Sequence, residues 1–465
     1  MSETTTADVS ASPGVGVGVA VAKIVVAALI GALWAGRRLR QTYFYFDEWS
    51  MIGRVIHLGV IEGATTSFNG HLWFFQDMIF RVQARVFGLD SNGFLVVVFI
   101  SSLVALHLAL AALAVRIGVP LTPALMLAGL LTYLGPAAQN FVFAIQVSPT
   151  FATAAAVGAA AVVLGGTSTT RRYLAVGGLL QLAALFDSGV GLLALALVGG
   201  VVIGLWPRGS WWVLAPSALI IGIWYAFGDL GPKFEASVAD RIVFAARLLL
   251  RGGGSLVGGG AWVGIFVVIV FASSFAVAFA AGRLDRTALT VMFAAGVATM
   301  VNVAGIAQSR AGLPGFTFFE NNRYLQNVAI PLTITFLPAL VACAGLVRER
   351  WQLAEPGPRA ARDALPMLVI AACFGLGLGA EADYAEVFID RTEQVRTGVR
   401  DIAIVENTGC PSGQMPNLDA RPLGALSPQV STRLVAELVD RELLSIEPGR
   451  LATVDPEILR AICGP

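Results

Sequence analysis

The sequence predicts an all-α protein that crosses a membrane about eleven times. Three observations predict it. Hydrophobic residues make up 56% of the 465, and charged residues only 13%, where soluble domains carry roughly 25%. Mean hydropathy is +0.76. The apolar residues also fall into runs close to the ~20 that a helix needs to cross the hydrocarbon layer. A water-soluble fold could not bury so much apolar surface, so lipid is the solvent for much of the chain.

In order, the runs lie at 16–36, 93–115, 119–136, 140–165, 173–187, 189–206, 211–228, 256–281, 287–306, 326–347 and 364–381. The first is long and lacks a basic leading segment and a small-residue cleavage site, so it reads as a retained helix, not a signal peptide. The third is short and ends at Gly135-Pro136. Only Asp187-Ser188-Gly189 separates the fifth from the sixth, which fits either a tight hairpin at the membrane face or a kink in one long helix. No internal repeat of fixed period is visible.

Positive charges in short loops set the orientation. With a cytoplasmic N-terminus, the inner loops carry Arg116, Arg171 with Arg172, Arg208, Arg283 with Arg286, and Arg348 with Arg350, Arg359 and Arg362. The outer loops at 136–140 and 187–189 carry none. Two groups oppose this: Arg37, Arg38 and Arg40, and then Lys233, Arg241, Arg247 and Arg251. The agreeing loops outnumber them. The long outer segments are then 37–92, 229–255 and 307–325, and the chain divides into a transmembrane module, 1–381, and a small extracytoplasmic C-terminal domain, 382–465.

That tail is polar. Ser427 suits the N-cap, and Pro428 the first position, of a helix over 428–444. Asp455-Pro456-Glu457 opens a second over 455–463. Cys410 and Cys463 lie in the tail, and an extracytoplasmic setting favours a disulfide between them. A tail locked in this way would bind the acceptor of a surface reaction or shield the site. Cys343 and Cys373 lie in apolar runs as small packing groups. No CxxC or Cys/His cluster marks a zinc site. Net charge is +1, and the basic residues are scattered, which speaks against a nucleic-acid partner. The two lysines, Lys23 and Lys233, stand against 29 arginines, which fits GC-rich coding better than function.

The first outer loop is the most informative segment. It opens Tyr43-Phe44-Tyr45-Phe46-Asp47-Glu48-Trp49. Aromatic residues are common at the interface, but an acidic pair beside the bilayer is costly unless solvated, paired or functional. Such a carboxylate, its pKa raised by apolar surroundings, could act as general base toward an acceptor hydroxyl. It is equally open that both residues cap the next helix and face water. His71, in Phe68-Asn69-Gly70-His71, could orient a phosphate or share a proton, or be structural. Segment 74–87 is amphipathic: Phe75, Met78, Ile79, Val82 and Val86 share one face, and Asp77, Arg81 and Arg85 follow at one-turn intervals. It suits a helix lying flat on the membrane.

With this loop, the chain resembles the C-type (GT-C) integral-membrane glycosyltransferases, in particular a poorly characterised bacterial branch. Members have a first helix, then a large outer loop with an acidic residue or pair near its start, then flat helices. Asn69-Gly70-His71 and Phe87-Gly88-Leu89 resemble motifs of that branch. So do Gln139-Asn140 through Gln146, Phe186-Asp187-Ser188-Gly189-Val190-Gly191 (with Asp187 a departure) and Asn322-Arg323-Tyr324. The resemblance spans roughly 16–347, and the order of the motifs is its main strength. It implies inverting transfer of a sugar from a polyprenyl-phosphate-linked donor to a glycan or lipid acceptor of the cell envelope, on the outer face of the plasma membrane. Asp47 would be the general base, with Glu48 as second candidate. Arg310 and Arg323 would hold the donor phosphate, as the planar guanidinium suits that anion, although Arg323 could simply pair with Glu320. Gln146 and Asp187, near the outer ends of their helices, would face the same cavity, or Asp187 would be a solvated turn residue. Some members use a divalent metal and others do not. Asp47, Glu48 and His71 could supply ligands, but their spacing does not define a site.

Two other classes stay open. A lipid or polysaccharide transporter would place ionisable groups at the midplane and often show inverted repeats, whereas the runs here are nearly free of charge. A non-catalytic envelope-assembly scaffold would keep the fold without the chemistry.

Overall fold

A computed structural model describes residues 13–206, 210–228, 234–318, 320–350, 359–411, 413–445 and 451–464. Arg208 and Lys233 lie outside the described residues, as do the side chains of Arg359 and Arg362. The helices are α1 (Pro13–Leu39), α2 (Asp47–His57), α3 (Val60–Thr65), α4 (Phe74–Val82), α5 (Gly93–Ile117), α6 (Leu121–Thr132), α7 (Gln139–Val142), α8 (Val147–Leu164), α9 (Thr170–Phe186) and α10 (Ser188–Leu205). They continue as α11 (Ser210–Phe227), α12 (Val238–Ser255), α13 (Ala261–Ala280), α14 (Arg286–Arg310), α15 (Arg323–Arg350), α16 (Arg359–Thr408), α17 (Thr432–Asp440) and α18 (Pro456–Cys463). Among the described residues there is no strand, only an isolated bridge between Phe68 and His71.

Nine helices among the described residues are long and apolar enough to cross a membrane: α1, α5, α8, α10, α11, α13, α14, α15 and α16. The chain is therefore a multi-pass membrane protein. The other two expected runs give shorter helices, α6 with 12 residues and α9 with 17. α6 stops at Thr132 because Gly135-Pro136 forms a 3-10 turn that redirects the chain.

Between α9 and α10 the chain makes a hairpin, not a kink. Asp187 is the only residue between the helices and is extended, with φ −155°. Gly191 comes so close to Ala184 that a Cβ there would meet the Ala184 Cα at 2.7 Å. In a continuous helix those residues would stand about 10 Å apart.

Helix ends sort into two groups. At one end, Arg116 packs near Gly165, Arg172 donates to Gly165 O, Arg286 to Gly204 O, and Arg283 pairs with Glu349. At the other end lie the loop after α1, the α9–α10 turn and the loop before α15. There Arg38, one of the charges that opposed the orientation, pairs with buried Glu381 at 3.0 Å. Arg251, another, lies over the Phe318 ring at 4.8 Å.

The tail departs from expectation. α16 runs unbroken for 50 residues, about 75 Å at 1.5 Å per residue, where the hydrocarbon layer is ~30 Å. No proline falls between 367 and 410 to stop it, so residue 381 lies inside a helix. The next helix starts at Thr432, capped by the Ser431 side chain on Leu434 N. Ser427-Pro428 instead makes a turn, with Val430 N donating to Ser427 O. The apolar period carried by Leu434, Val435 and Leu438 sets that later start. Asp455 caps α18, with Pro456 at its first position. Cys410 and Cys463 form a disulfide with Cα atoms 5.6 Å apart. The tail is also stitched to the first loop: Leu89 N donates to Leu443 O, Ser445 N to Asp90, and Arg441 to Ile56 O. One apolar core contains Trp49, Phe80, Val399, Leu438 and Ile462 together.

Candidate functional site

Asp47 is the first residue of α2. The residues around it are anchored inward. Tyr43, Phe44 and Trp49 are buried and stacked edge to face, and Trp49 Nε1 donates to Phe44 O. The chain then turns through Phe46 at φ 44°, ψ −105°. A side chain at positive φ costs about 1–3 kcal/mol, and such strain gathers at functional sites. The turn leaves Asp47 half-buried and Phe46 exposed.

Glu48 does not share the role of Asp47. It is 1% exposed. One carboxylate oxygen accepts Tyr45 N at 2.8 Å, fixing the turn. Burial pushes the Glu48 pKa up to about 8, partly offset by the backbone amides of Tyr45 and Ile145. It is therefore protonated at neutral pH and out of reach of a substrate. The folded pKa lies above the ordinary 4.5, so the native state holds more protons than the unfolded chain between those values, and stability falls as pH rises from about 4.5 to about 8. Glu48→Gln should flatten the dependence of melting temperature on pH across that window. An unchanged slope would contradict the buried, protonated carboxyl.

Facing Asp47 is a two-residue hairpin. Phe68 and His71 exchange backbone hydrogen bonds, and Asn69 and Gly70 have φ 51° and 85°. Asn-Gly is favoured here because both central residues must take positive φ. The Asn69 side chain lies close enough to Asp47 to lower its pKa. Arg54 supports the approach to the turn through Ser67 O and Gly63 O, and Trp224 Nε1 reaches Gly70 O at 3.3 Å.

The α9–α10 turn docks on this hairpin. Leu72 N donates to Ser188 Oγ, and Ser188 N to Leu72 O. Asp187 is buried, not solvated: its Oδ1 accepts Gly189 N and Val190 N and lies 3.1 Å from His71 Nδ1. Gly189 permits that approach, since a Cβ there would meet His71 Cε1 at 2.7 Å.

The cationic side comes from the end of α14 and the start of α15. Arg310 Nε donates to Tyr324 Oη at 2.9 Å, and Arg323 Nη2 reaches the same oxygen at 3.5 Å. The 139–140 segment holds them in place: Gln139 N donates to Asn322 Oδ1, and Asn140 Nδ2 to Arg323 O. Arg323 does not take Glu320, which pairs with Arg391 of α16 at 3.7 Å. Burial raises the Asp47 pKa, and Arg323, Arg310 and the Asn69 side chain partly offset it.

The structure thus brings Asp47, Arg310 and Arg323 together, with His71 and Asp187 paired two residues beyond Asn69. Gln146 is buried as the N-cap of α8, next in the chain to Ile145, whose amide acts on Glu48. Among the described residues no three of His, Cys, Asp and Glu gather around one point, so Asp47, Glu48 and His71 form no common ligand set. Asn69, Tyr324 and Arg391 were missed as site residues. Asn-Gly between apolar residues was a readable hairpin signal, and Tyr324 adjoins a flagged arginine. Arg391, in the long extension of α16, gave no signal. The arrangement sets the Asp47 carboxylate within electrostatic reach of two guanidiniums that share a phenol oxygen at one end of the bundle. Compared with known proteins, the chain matches no family model, no curated protein and no solved structure.

Proposed function

We propose that this chain is a GT-C-type membrane glycosyltransferase that moves a sugar from a polyprenyl-phosphate-linked donor to a glycan or lipid acceptor on the outer face of the plasma membrane. The observation that carries the reading is the convergence of Asp47 with Arg310 and Arg323 from segments more than 250 residues apart. An acid-base group beside an anion cradle suits attack on a sugar whose leaving group is a phosphate. On this reading α6 and α9 complete eleven crossings, the N-terminus is cytoplasmic, and α17 and α18 with the end of α16 form an extracytoplasmic unit over the site.

Asp47 takes the proton of the acceptor hydroxyl as its oxygen attacks the anomeric carbon. The bond from that carbon to the phosphate oxygen breaks, and its electron pair stays on the phosphate. Arg310 and Arg323 balance the charge that develops there, and attack from the opposite face inverts the anomeric centre. Tyr324 ties the two guanidiniums together through one oxygen, so the cradle is set before the donor arrives.

Arg323→Ala should weaken donor binding and slow transfer together, by about 10²–10³ in kcat/KM, the usual cost of losing one preorganised charge donor. Arg323→Lys should recover only part of that, because a point charge cannot replace the planar fork. Unchanged kcat/KM in Arg323→Ala would remove the cradle from the account.

A further inference from the structure

The pair formed by His71 and Asp187 has no part in the steps above, yet it is built like a working group. Asp187 is 4% exposed. One of its oxygens both caps α10 and lies 3.1 Å from His71 Nδ1. The imidazole stacks on Trp73 with centroids 6.1 Å apart. Gly189 supplies the missing Cβ that lets the ring in. A rigid five-membered ring with Nδ1 toward Asp187 turns Nε2 the other way, and the His71 side chain is 35% exposed, so Nε2 is accessible. His71 and Asn69 belong to one four-residue hairpin, and the Asn69 side chain acts on Asp47. The Cα atoms of Asn69 and His71 are therefore no more than about 7 Å apart.

A carboxylate set against one imidazole nitrogen leaves the other turned outward. The geometry points to His71 as a third phosphate ligand of the site, donating from Nε2 to a phosphate oxygen of the lipid-linked donor, with Asp187 as the positioning residue behind it. This rests on the glycosyltransferase reading. No covalent bond to His71 forms; Nε2–H donates to the phosphate before and after the sugar leaves. The titratable groups facing the pair are Asp187 itself and Tyr225 of α11, whose phenol interacts with Asp187; Trp73 and Gly189 complete its surroundings.

The test is binding of undecaprenyl phosphate, with inorganic phosphate in parallel, to the full chain in lipid nanodiscs between pH 5.5 and 8.5. Asp187→Asn is the informative variant, because Asn caps a helix as well as Asp does but presents no charge to His71. Wild type should bind the lipid phosphate and bind inorganic phosphate far more weakly. Asp187→Asn and His71→Gln should each lose about tenfold at pH 6.5 and keep the wild-type melting temperature. The double variant should lose no more than either single one, as for residues acting through one contact. Binding by wild type that neither variant alters would overturn the role of His71 and leave the enzyme reading standing. So would a fall in melting temperature that tracks the loss in both variants, which marks a purely structural pair. Inorganic phosphate binding as tightly as the lipid would overturn the lipid-linked ligand. No binding of undecaprenyl phosphate by wild type at any pH would remove the enzyme reading and this inference together.

Discussion

Asp47→Asn should abolish measurable sugar transfer while leaving donor binding intact or tighter. General-base catalysis contributes about 10²–10⁴-fold, and asparagine cannot take the proton. The substitution is nearly isosteric, so the turn through Phe46 need not change. It removes a carboxylate that interacts with both Arg310 and Arg323, so an anionic donor meets a more positive cradle. Paired measurements of turnover and donor binding check this. Equal loss of both would indicate a collapsed loop, and unchanged turnover would exclude Asp47 as the base.

The largest stability effect should come from the pair beneath the first loop. Arg81 and Asp77 pair at 2.6 Å with side chains 6% and 1% exposed. Arg81 also donates to Val55 O and Gly59 O, so it ties α4 to the end of α2 and the start of α3. Gly63 leaves room for both side chains, since a Cβ there would overlap Arg81 Nη2. Removing one partner of a buried pair leaves a charge with neither water nor counter-ion, which costs about 3–5 kcal/mol. Asp77→Ala should therefore unfold at clearly lower denaturant in detergent. Asp77→Leu combined with Arg81→Met should recover much of the loss. If Asp77→Ala unfolds like wild type, the loop is held mainly by its apolar contacts.

Much of the fold was legible because lipid makes helices of apolar runs. The Asp77–Arg81 spacing read correctly as one helical turn, but its burial did not, since burial depends on Val55 and Gly59 arriving from another segment. The continuation of α16 past 381 was missed because its polar surface reads as tail composition, while continuity depends only on the absence of a breaker. Asp47 and Glu48 are neighbours in sequence, and nothing local showed that one faces outward and the other inward. That split comes from the φ of Phe46 and the Tyr45 amide. His71 and Asp187 were each noticed, but their pairing joins residues 116 apart and appears only once Leu72 and Ser188 dock.

The most direct measurement is transfer by the purified wild-type chain, in nanodiscs, from a polyprenyl-phosphate sugar labelled in the sugar. The account predicts tight donor binding, release of polyprenyl phosphate, and label on the acceptor with inverted anomeric configuration. Wild-type protein that binds no polyprenyl-phosphate sugar would contradict it and favour a transporter or an assembly scaffold instead.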